Sequence, residues 1–345
     1  MLVANIAGAS GYAGAELIRL IQGHQNLQIG ALSAAANAGE RLSTIHSQFL
    51  ASEIGNLQLQ STDVDLLKDC DVLFLALPHG ASAQLVKSLP AELPIVDLGA
   101  DYRLARAADW NHYYGGQHAG SWIYGLPEIP GLREKIRNTH RVANPGCYAT
   151  AIALGLAPLI KNNFVNNSNI TVVAASGTSG AGRNAKVNLL ASEVAGSISA
   201  YKVGGIHQHT PEIEQTLNLI NESNDVRITF TPLLAPMSRG IHATITAQKI
   251  SEFSADQIRS AFTSHYKGEY FVKVSEPGVQ VASGSVLGSN FVQISMEIDE
   301  RVGNVVVTVV LDNLVKGAAG QAIQNCNLMM GFEETLGLTG IGVAP

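Results

Sequence analysis

The chain has 345 residues and a formal charge of −6, from 22 basic and 28 acidic residues. Because 46% of the residues are apolar and only 14% are charged, the composition excludes a disordered chain. A net acidic chain also lacks the positive surface of a dedicated nucleic-acid binder, so no nucleic-acid partner is expected. The length is enough for about two domains.

Targeting features are missing from the sequence. The N-terminus has no basic region or cleavage pattern of a signal peptide, and no run of 18 apolar residues could span a membrane. The three cysteines, Cys70, Cys147 and Cys326, are odd in number and far apart, which indicates neither a disulfide framework nor a zinc motif. We therefore predict a cytoplasmic protein without a membrane partner.

The first half of the chain alternates apolar runs with stretches of helical spacing. Residues 2–7 predict a strand, a glycine-rich turn follows, and residues 15–21 predict a helix. Further strands are predicted at residues 27–33, 71–77 and 93–98. Such alternation is typical of a parallel sheet covered by helices on both faces.

After about residue 165 the sequence becomes rich in β-formers. Strands are predicted at 170–175, 226–234, 241–248, 291–298 and 305–311, and residues 314 to about 332 return to helix. The predicted fold class is α/β, with a Rossmann-type parallel-sheet domain and an α+β domain with a mixed or antiparallel sheet. We assign residues 1–146 to a dinucleotide-binding domain, on which a C-terminal helix of residues 314–345 packs. Residues 147–313 form a second domain.

A glycine cluster follows the first strand and opens a helix, which is the context of a dinucleotide-binding turn. Gly8, Gly11 and Gly14 allow a pyrophosphate to approach the backbone, where helix N–H groups bind its charge. A tight turn without a ligand is the alternative. Residues 28–36 contain no acid to bind an NAD ribose, and Ser33 can donate to a 2′-phosphate, which favours NADP.

Cys147 follows a Pro-Gly turn at the start of an alanine-rich helix. A helix N-terminus lowers the pKa of a cysteine, because the dipole favours the nucleophilic thiolate. The alternative is an inert core cysteine, and we adopt that interpretation for Cys70 and Cys326.

His207 and His209 precede a helix that Thr210 is predicted to cap, with Pro211 at its first position. One of them can act as a general acid/base oriented by Glu212, and we favour His209 because the helix start fixes its backbone. The alternatives are a structural pair and a metal site. No third ligand stands at motif spacing, so no metal is predicted.

Two kinds of anion-binding feature remain. Residues 176–183 are rich in glycine and hydroxyl groups and can form an anion nest, or else a plain loop. Arg103 and Arg239 each lie beside small residues, where a guanidinium can bind a carboxylate or phosphate, or else form a surface ion pair.

Taken together, these residues resemble the N-acetyl-gamma-glutamyl-phosphate reductase family of the aspartate-semialdehyde-dehydrogenase-like superfamily. The resemblance covers essentially the whole chain, and it implies that residues 147–313 form the catalytic, substrate-binding and oligomerisation domain. It is carried by Asn-Pro-Gly-Cys-Tyr-Ala-Thr at 144–150, His-x-His-x-Pro-Glu-Ile at 207–213, and residues 8–14, 176–183, 231–241 and 312–320.

The resemblance implies an NADPH-dependent reduction of N-acetyl-gamma-glutamyl phosphate in arginine biosynthesis. Cys147 would form a thioacyl intermediate, a histidine would move the proton, and a homo-oligomer, dimer or tetramer, is expected. The implied cofactor residues are Gly8, Ser10, Gly11, Tyr12, Ala13, Gly14, Ser33, Ser176, Gly180 and Asn313. The implied substrate residues are Arg103, Ser179, Glu212 and Arg239.

The chain departs from the family pattern at two points. The family commonly shows His-Arg-His, whereas the middle residue here is Gln208, and many members carry Ser-Arg where this chain has Ser33-Ala34. Other readings are an aspartate-semialdehyde dehydrogenase or an aminoadipyl-phosphate reductase with the same cysteine chemistry. A non-catalytic nucleotide-binding sensor is a different class, but it would not need both Cys147 and the histidines.

Overall fold

The computed structural model describes residues 1–220 and 226–344. Contacts divide this part of the chain into two compact units. The first contains Met1–Pro127, Gly131–Pro145 and Ala318–Thr339, and the second contains Glu128–Pro130, Gly146–Gly317 and residues from 340 onward. No helix in the described part combines the length and apolar character that a membrane span requires.

The first unit is built on a six-stranded sheet in which every pairing is parallel, as the alternating pattern predicts. The strand order is β2-β1-β3-β4-β6-β5. The strands are β1 (Leu2–Ala7), β2 (Leu27–Ser33), β3 (Val72–Leu75), β4 (Ile95–Asp97), β5 (Ile123–Tyr124) and β6 (Arg141–Ala143).

The connections of this sheet reverse direction beside β1. The chain passes from β1 to β2 on one side and then to β3 on the other, so the carboxyl ends of β1 and β3 border a topological switch point, where open α/β sheets bind ligands. The helices are α1 (Tyr12–Gln22), α2 (Leu42–Ile45), α3 (Val64–Leu67), α4 (Ala81–Val86), α5 (Ala107–Tyr113) and α6 (Leu132–Arg137), with 3-10 turns at Ser47–Phe49 and Glu53–Asn56.

The second unit contains a seven-stranded mixed sheet in the order β11-β12-β13-β10-β7-β9-β8. The pairs β7–β9 and β11–β12 are parallel and the others antiparallel, which confirms the predicted mixed sheet. The strands are β7 (Val165–Ser176), β8 (Ser199–Ala200), β9 (Ile228–Leu234), β10 (Ile241–Lys249), β11 (Val272–Val274), β12 (Val292–Asp299) and β13 (Asn304–Leu311).

One long helix presses on a face of this second sheet. A Cβ added at Gly155 of this helix would lie 2.6 Å from Ile245 Cδ1 and 2.7 Å from Val309 Cγ2, so the close packing requires glycine. The helices of the unit are α7 (Cys147–Lys161), α8 (Ala191–Val194), α9 (His209–Ile220) and α10 (Ala255–His265), with 3-10 turns at Thr178–Ala181, Val187–Leu189 and Ser283–Val286. Because α7 is buried along almost its whole length, its first residue has a fixed position.

The C-terminal helical segment is shorter than the predicted residues 314–345. A π-helical turn, Val315–Ala319, leads into α11 (Gly320–Met329), which packs against α1 and α6 within the first unit. Gly331 and Gly337, with φ of 70° and 74°, turn the chain out of the helix. Residues 340–344 group with the second unit.

The turn after β1 generates a first testable prediction. Gly8 has φ of 92°, and a Cβ there would lie 2.2 Å from the Ala76 carbonyl oxygen, whereas Gly39 has φ of 89° with no atom within 4 Å. We expect Gly39→Ala to lower the free energy of unfolding by about 1–2 kcal/mol through backbone strain alone. Gly8→Ala should cost about 1–3 kcal/mol more, because the carbonyl must also move. Equal losses in urea unfolding would contradict this.

Candidate active site

The glycine turn forms a cradle at the switch point of the first sheet. A Cβ at Gly14 would lie 2.4 Å from Gly8 O, so α1 meets the end of β1 at a distance only glycine permits. Gly11 precedes α1 with extended backbone, and a Cβ there would meet only Gly8 O, at 3.5 Å. The first N–H groups of α1, from Tyr12 to Gly14, have no partner inside the helix. This cradle fits a pyrophosphate.

Ser33 shapes this turn through its backbone. Its carbonyl accepts the N–H groups of Gly8 and Ala9, each at 2.9 Å. The side chain is fully buried, and its Oγ lies 3.3 Å from Thr62 Oγ1. The hydroxyl therefore faces Thr62, and its contact with a 2′-phosphate stays a prediction.

Cys147 is the first residue of α7, as its sequence context predicts. Gly146 precedes it in an extended conformation and donates its N–H to Glu212 Oε1 at 2.7 Å, and that carboxylate is fully buried. Gly317 also packs closely against Cys147, since a Cβ added at this glycine would lie 2.7 Å from Cys147 Cβ. The half-buried thiol thus lies at a rigidly held helix N-terminus, where the dipole stabilises a thiolate.

The other two thiols have the opposite environment. Burial raises the pKa of Cys70 to about 11 and the pKa of Cys326 to about 12. Both remain protonated at neutral pH, which agrees with their interpretation as structural cysteines.

His207 is held in one neutral tautomer. Its Nδ1 accepts the backbone N–H of His209 at 3.0 Å, so its ring proton resides on Nε2. Burial, together with His209 and Lys202, lowers the pKa of His207 to about 2. His207 is therefore a neutral hydrogen-bond donor at every physiological pH.

The predicted cap of α9 is wrong. The helix begins at His209, so Thr210 lies inside its first turn and is not the capping residue. Instead, the ring of His207, two residues before the helix start, accepts the N–H of His209, the first residue of the helix.

Aromatic rings surround the two histidines. The ring centroids of His207 and His209 are 4.9 Å apart, and the Tyr148 ring lies 5.6 Å from the first and 6.1 Å from the second. Tyr148 Oη donates to Leu233 O at 3.0 Å, and Tyr201 Oη donates to Tyr148 Oη at 3.3 Å. Sequence reasoning missed this arrangement. The position of Tyr148 directly after Cys147 was a usable signal, whereas nothing in the sequence marked Tyr201.

The structure brings four predicted residues together after β7. Asn313 Nδ2 donates to Ser179 Oγ at 3.0 Å, while its Oδ1 accepts the Gly240 N–H at 2.7 Å. Gly180 lies over Ser176, since an added Cβ would be 2.8 Å from Ser176 Oγ. The region predicted as an anion nest is therefore a 3-10 turn fixed by Asn313.

Arg239 is anchored beside this turn by Asp312, which sequence reasoning did not identify. Arg239 Nη2 lies 3.0 Å from Asp312 Oδ2, and its Nε donates to Oδ1 at 3.3 Å. Asp312 is fully buried and also accepts the Gly288 N–H at 2.7 Å. The guanidinium is thus held in one orientation and remains partly exposed.

Arg103 lies in the first unit and is buried. Its Nε donates to Asn144 O and its Nη2 to Leu98 O, each at 2.8 Å. It is therefore not the surface ion pair considered from the sequence. Arg103 and Arg239 belong to different units.

Comparison with known proteins identifies the family. Residues 3–139 match the semialdehyde dehydrogenase NAD binding domain, and residues 147–313 match the semialdehyde dehydrogenase dimerisation domain. An N-acetyl-gamma-glutamyl-phosphate reductase of Acidothermus cellulolyticus is 51% identical over 99% of this chain and 98% of its own length. The same-named protein of Mycobacterium avium is 49% identical with the same coverage. The chain belongs to the N-acetyl-gamma-glutamyl-phosphate reductase family.

Solved structures share the fold. Aspartate semialdehyde dehydrogenase II of Vibrio cholerae, complexed with ASA, has a TM-score of 0.70 at 14% identity, covering 96% of this chain and 98% of that one. The Candida albicans aspartate semialdehyde dehydrogenase with NADP has a TM-score of 0.71 at 15% identity, covering 96% and 99%. This chain therefore has the fold of these semialdehyde dehydrogenases.

The state of His207 generates a prediction about pH. An unfolded histidine takes up a proton near pH 6.5, whereas folded His207 does so only near pH 2, so its contribution to stability is lost as pH falls below 6.5. We expect this residue alone to make the free energy of unfolding fall by up to about 1.4 kcal/mol per pH unit between pH 6 and pH 4. Urea unfolding should show a shallower pH dependence for His207→Phe than for the wild type, and identical slopes would contradict the assignment.

Proposed function

We propose that this protein catalyses the NADPH-dependent reduction of N-acetyl-gamma-glutamyl phosphate to N-acetyl-glutamate semialdehyde and phosphate. The observation that carries the proposal is Cys147 at the start of α7, tied through Gly146 and Glu212 to the helix that bears His209. The curated relatives that share about half of its residues carry the name of this reductase.

The cradle at Gly8, Gly11 and Gly14 holds the cofactor pyrophosphate, with Ser10, Tyr12 and Ala13 supplying the surrounding backbone. When bound, NADPH supplies the hydride that reduces the acyl group. NADP is favoured over NAD because residues 28–36 carry no carboxylate to repel a 2′-phosphate. Ser33, Ser176, Gly180 and Asn313 complete the proposed cofactor contacts.

Cys147 is the nucleophile. Its thiolate attacks the γ-acyl carbon, the bond between that carbon and the phosphate oxygen breaks, and phosphate leaves with the electron pair. The result is a thioester on Sγ, which is more easily reduced than a carboxylate. Covalent catalysis thereby divides one difficult reduction into two easier steps.

His209 is the proton-transfer residue. It gives a proton to the acyl oxygen as the tetrahedral thiohemiacetal on Cys147 forms. It takes the proton back when the C–S bond breaks, which releases the semialdehyde and regenerates the thiolate. His207 cannot perform this exchange, because a histidine with a pKa of about 2 does not gain a proton near neutral pH. Its Nε2–H instead donates a neutral hydrogen bond to the substrate.

Substrate anions require cations with fixed positions. Arg239, oriented by Asp312, presents a planar guanidinium suited to a carboxylate or phosphate, with Ser179 beside it. Glu212 holds the start of α7 in place, and Arg103 stays a proposed substrate residue.

A cytoplasmic location and a homo-oligomer complete the proposal. Cys70, Cys147 and Cys326 carry thiols rather than disulfides, and the cytoplasm keeps the thiol of Cys147 reduced. For the oligomer, the face of the second sheet opposite α7 carries Thr231, Val173 and Thr244 in one row across three strands, and Val173 is 41% exposed. This face suits a second copy of the chain, a dimer or tetramer being the expected assembly.

The nucleophile is tested by substitution and labelling. Cys147→Ser should abolish NADPH formation from N-acetyl-glutamate semialdehyde and phosphate, while NADPH binding by fluorescence is kept. Iodoacetamide should label Cys147 well before Cys70 or Cys326, because burial keeps those two thiols protonated. An active serine variant, or equal labelling of the three cysteines, would refute the assignment. Turnover that needs no phosphate would refute the proposed reaction.

The acid/base role is tested separately. His209→Asn should lower kcat by about 10²–10⁴, the usual cost of losing a general acid/base, with little change in NADPH affinity. His207→Asn should act mainly on the substrate KM. Steady-state kinetics of both variants decide the matter, and the reverse pattern would exchange the two roles.

A further inference from the structure

A buried histidine that no sequence motif marked contacts the glycine turn of the first unit. His46 lies between α2 and the 3-10 turn Ser47–Phe49, and its side chain is almost fully buried. Its Nε2 lies 3.1 Å from the carbonyl oxygen of Ala9, the residue after Gly8. Because a carbonyl oxygen only accepts, Nε2 carries a proton and donates to Ala9. His46 thus ties the turn to the segment that follows β2.

Backbone groups hold the peptide on the other side of Ala9. The Ala9 N–H donates to Ser33 O at 2.9 Å, and the Gly8 carbonyl oxygen accepts the Gly11 N–H at 3.1 Å. The peptide between Gly8 and Ala9 is therefore fixed at both its donor and its acceptor. In the described part of the chain, the other hydrogen bonds of this turn also join backbone groups, so His46 is the side chain that orients it.

The hydrogen bond from His46 sets the direction of the next N–H group. In a trans peptide the carbonyl and the N–H point in opposite directions, so an Ala9 oxygen held toward His46 aims the Ser10 N–H away from it. Among the residues that the structure describes, none accepts this N–H, and the same holds for the N–H groups of Tyr12 and Ala13 at the start of α1. Several backbone donors in one short stretch without a protein acceptor suit a phosphate anion.

We propose that His46 is a positioning residue of the cofactor site, which holds the peptide between Ala9 and Ser10 so that its N–H, and not its carbonyl oxygen, faces the pyrophosphate. The proposal rests on the function proposed above, because it takes the glycine turn as the NADPH site. A rotated peptide would present the negative end of its dipole to the phosphates and repel them. Holding the peptide in place before the cofactor arrives removes that alternative, which strengthens binding.

The test compares three substitutions of one residue. His46→Phe keeps a ring beside Phe49, whose ring centroid lies 6.3 Å from that of the histidine, but removes the donor. His46→Gln keeps an N–H donor near the position of Nε2, whereas the amide of His46→Asn is one methylene too short to reach Ala9. We expect His46→Phe and His46→Asn to raise the Kd of NADPH about tenfold in fluorescence titrations, the order of one lost hydrogen bond to a buried acceptor. His46→Gln should stay within about threefold of the wild type.

Two comparisons separate positioning from a general loss of stability. NADH shares the pyrophosphate with NADPH, so His46→Phe should raise the Kd of both cofactors by the same factor. The control is His24→Phe, which removes another buried imidazole of the first unit, one whose Nε2 lies 2.9 Å from Asn327 Oδ1. This control should lower the urea midpoint of unfolding and leave the Kd of NADPH unchanged.

The outcomes distinguish this inference from the proposed function. A wild-type Kd for His46→Phe and His46→Asn would overturn the inference, and so would an equal rise in His46→Gln or His24→Phe, or a rise for NADPH alone. If the reaction proceeds in that case, the proposed function stands without it. A protein that binds NADPH with the expected pattern of variants but does not reduce the acyl phosphate would keep the inference and refute the function. A wild-type protein that does not bind NADPH would refute both.

Discussion

The hydrogen bond from the Gly146 N–H to the Glu212 carboxylate is the interaction on which the geometry of the site depends. A carboxylate with no solvent exposure loses its hydration, at a cost of several kcal/mol, and must recover it from charge-assisted bonds. Gly146 precedes Cys147, and Glu212 lies in the first turn of α9, three residues after His209. One bond of 2.7 Å therefore sets the proposed nucleophile and the proposed acid/base in a fixed relation.

Other buried acids in the second unit work by the same principle. Asp312 holds the Arg239 guanidinium together with the N–H groups of Gly288 and Leu314. Glu128 pairs with Lys316 at 2.6 Å, both essentially without exposure, and Lys316 adjoins the glycine packed against Cys147. Breaking such a pair leaves an uncompensated buried charge. These buried acids thus act as anchors, and the Arg239 guanidinium that Asp312 holds remains partly exposed.

Local sequence patterns were sufficient for the fold and for the position of Cys147 at a helix start. Strands of the second sheet alternate in period two, those of the first sheet are apolar runs, and the Pro-Gly turn before Cys147 marks a helix start within a few residues. The pairings that orient the site could not be read this way, because Arg239 and Asp312 are 73 residues apart and Lys316 and Glu128 are 188 apart. No local rule links such positions. The predicted cap of α9 was wrong because the helix begins one residue before Thr210, at His209, whose N–H is accepted by the ring of His207.

The discontinuity of the first unit has a consequence for how the chain is made. Its sheet is complete by residue 143, yet α11, which covers α1 and α6, follows the whole segment Gly146–Gly317. At about 5–20 residues per second, a ribosome needs roughly 9–34 s to add that segment. During this interval the surfaces of α1 and α6 that α11 contacts in the folded chain are uncovered. Chaperone contact during synthesis should therefore concentrate on the N-terminal unit, although that unit emerges first.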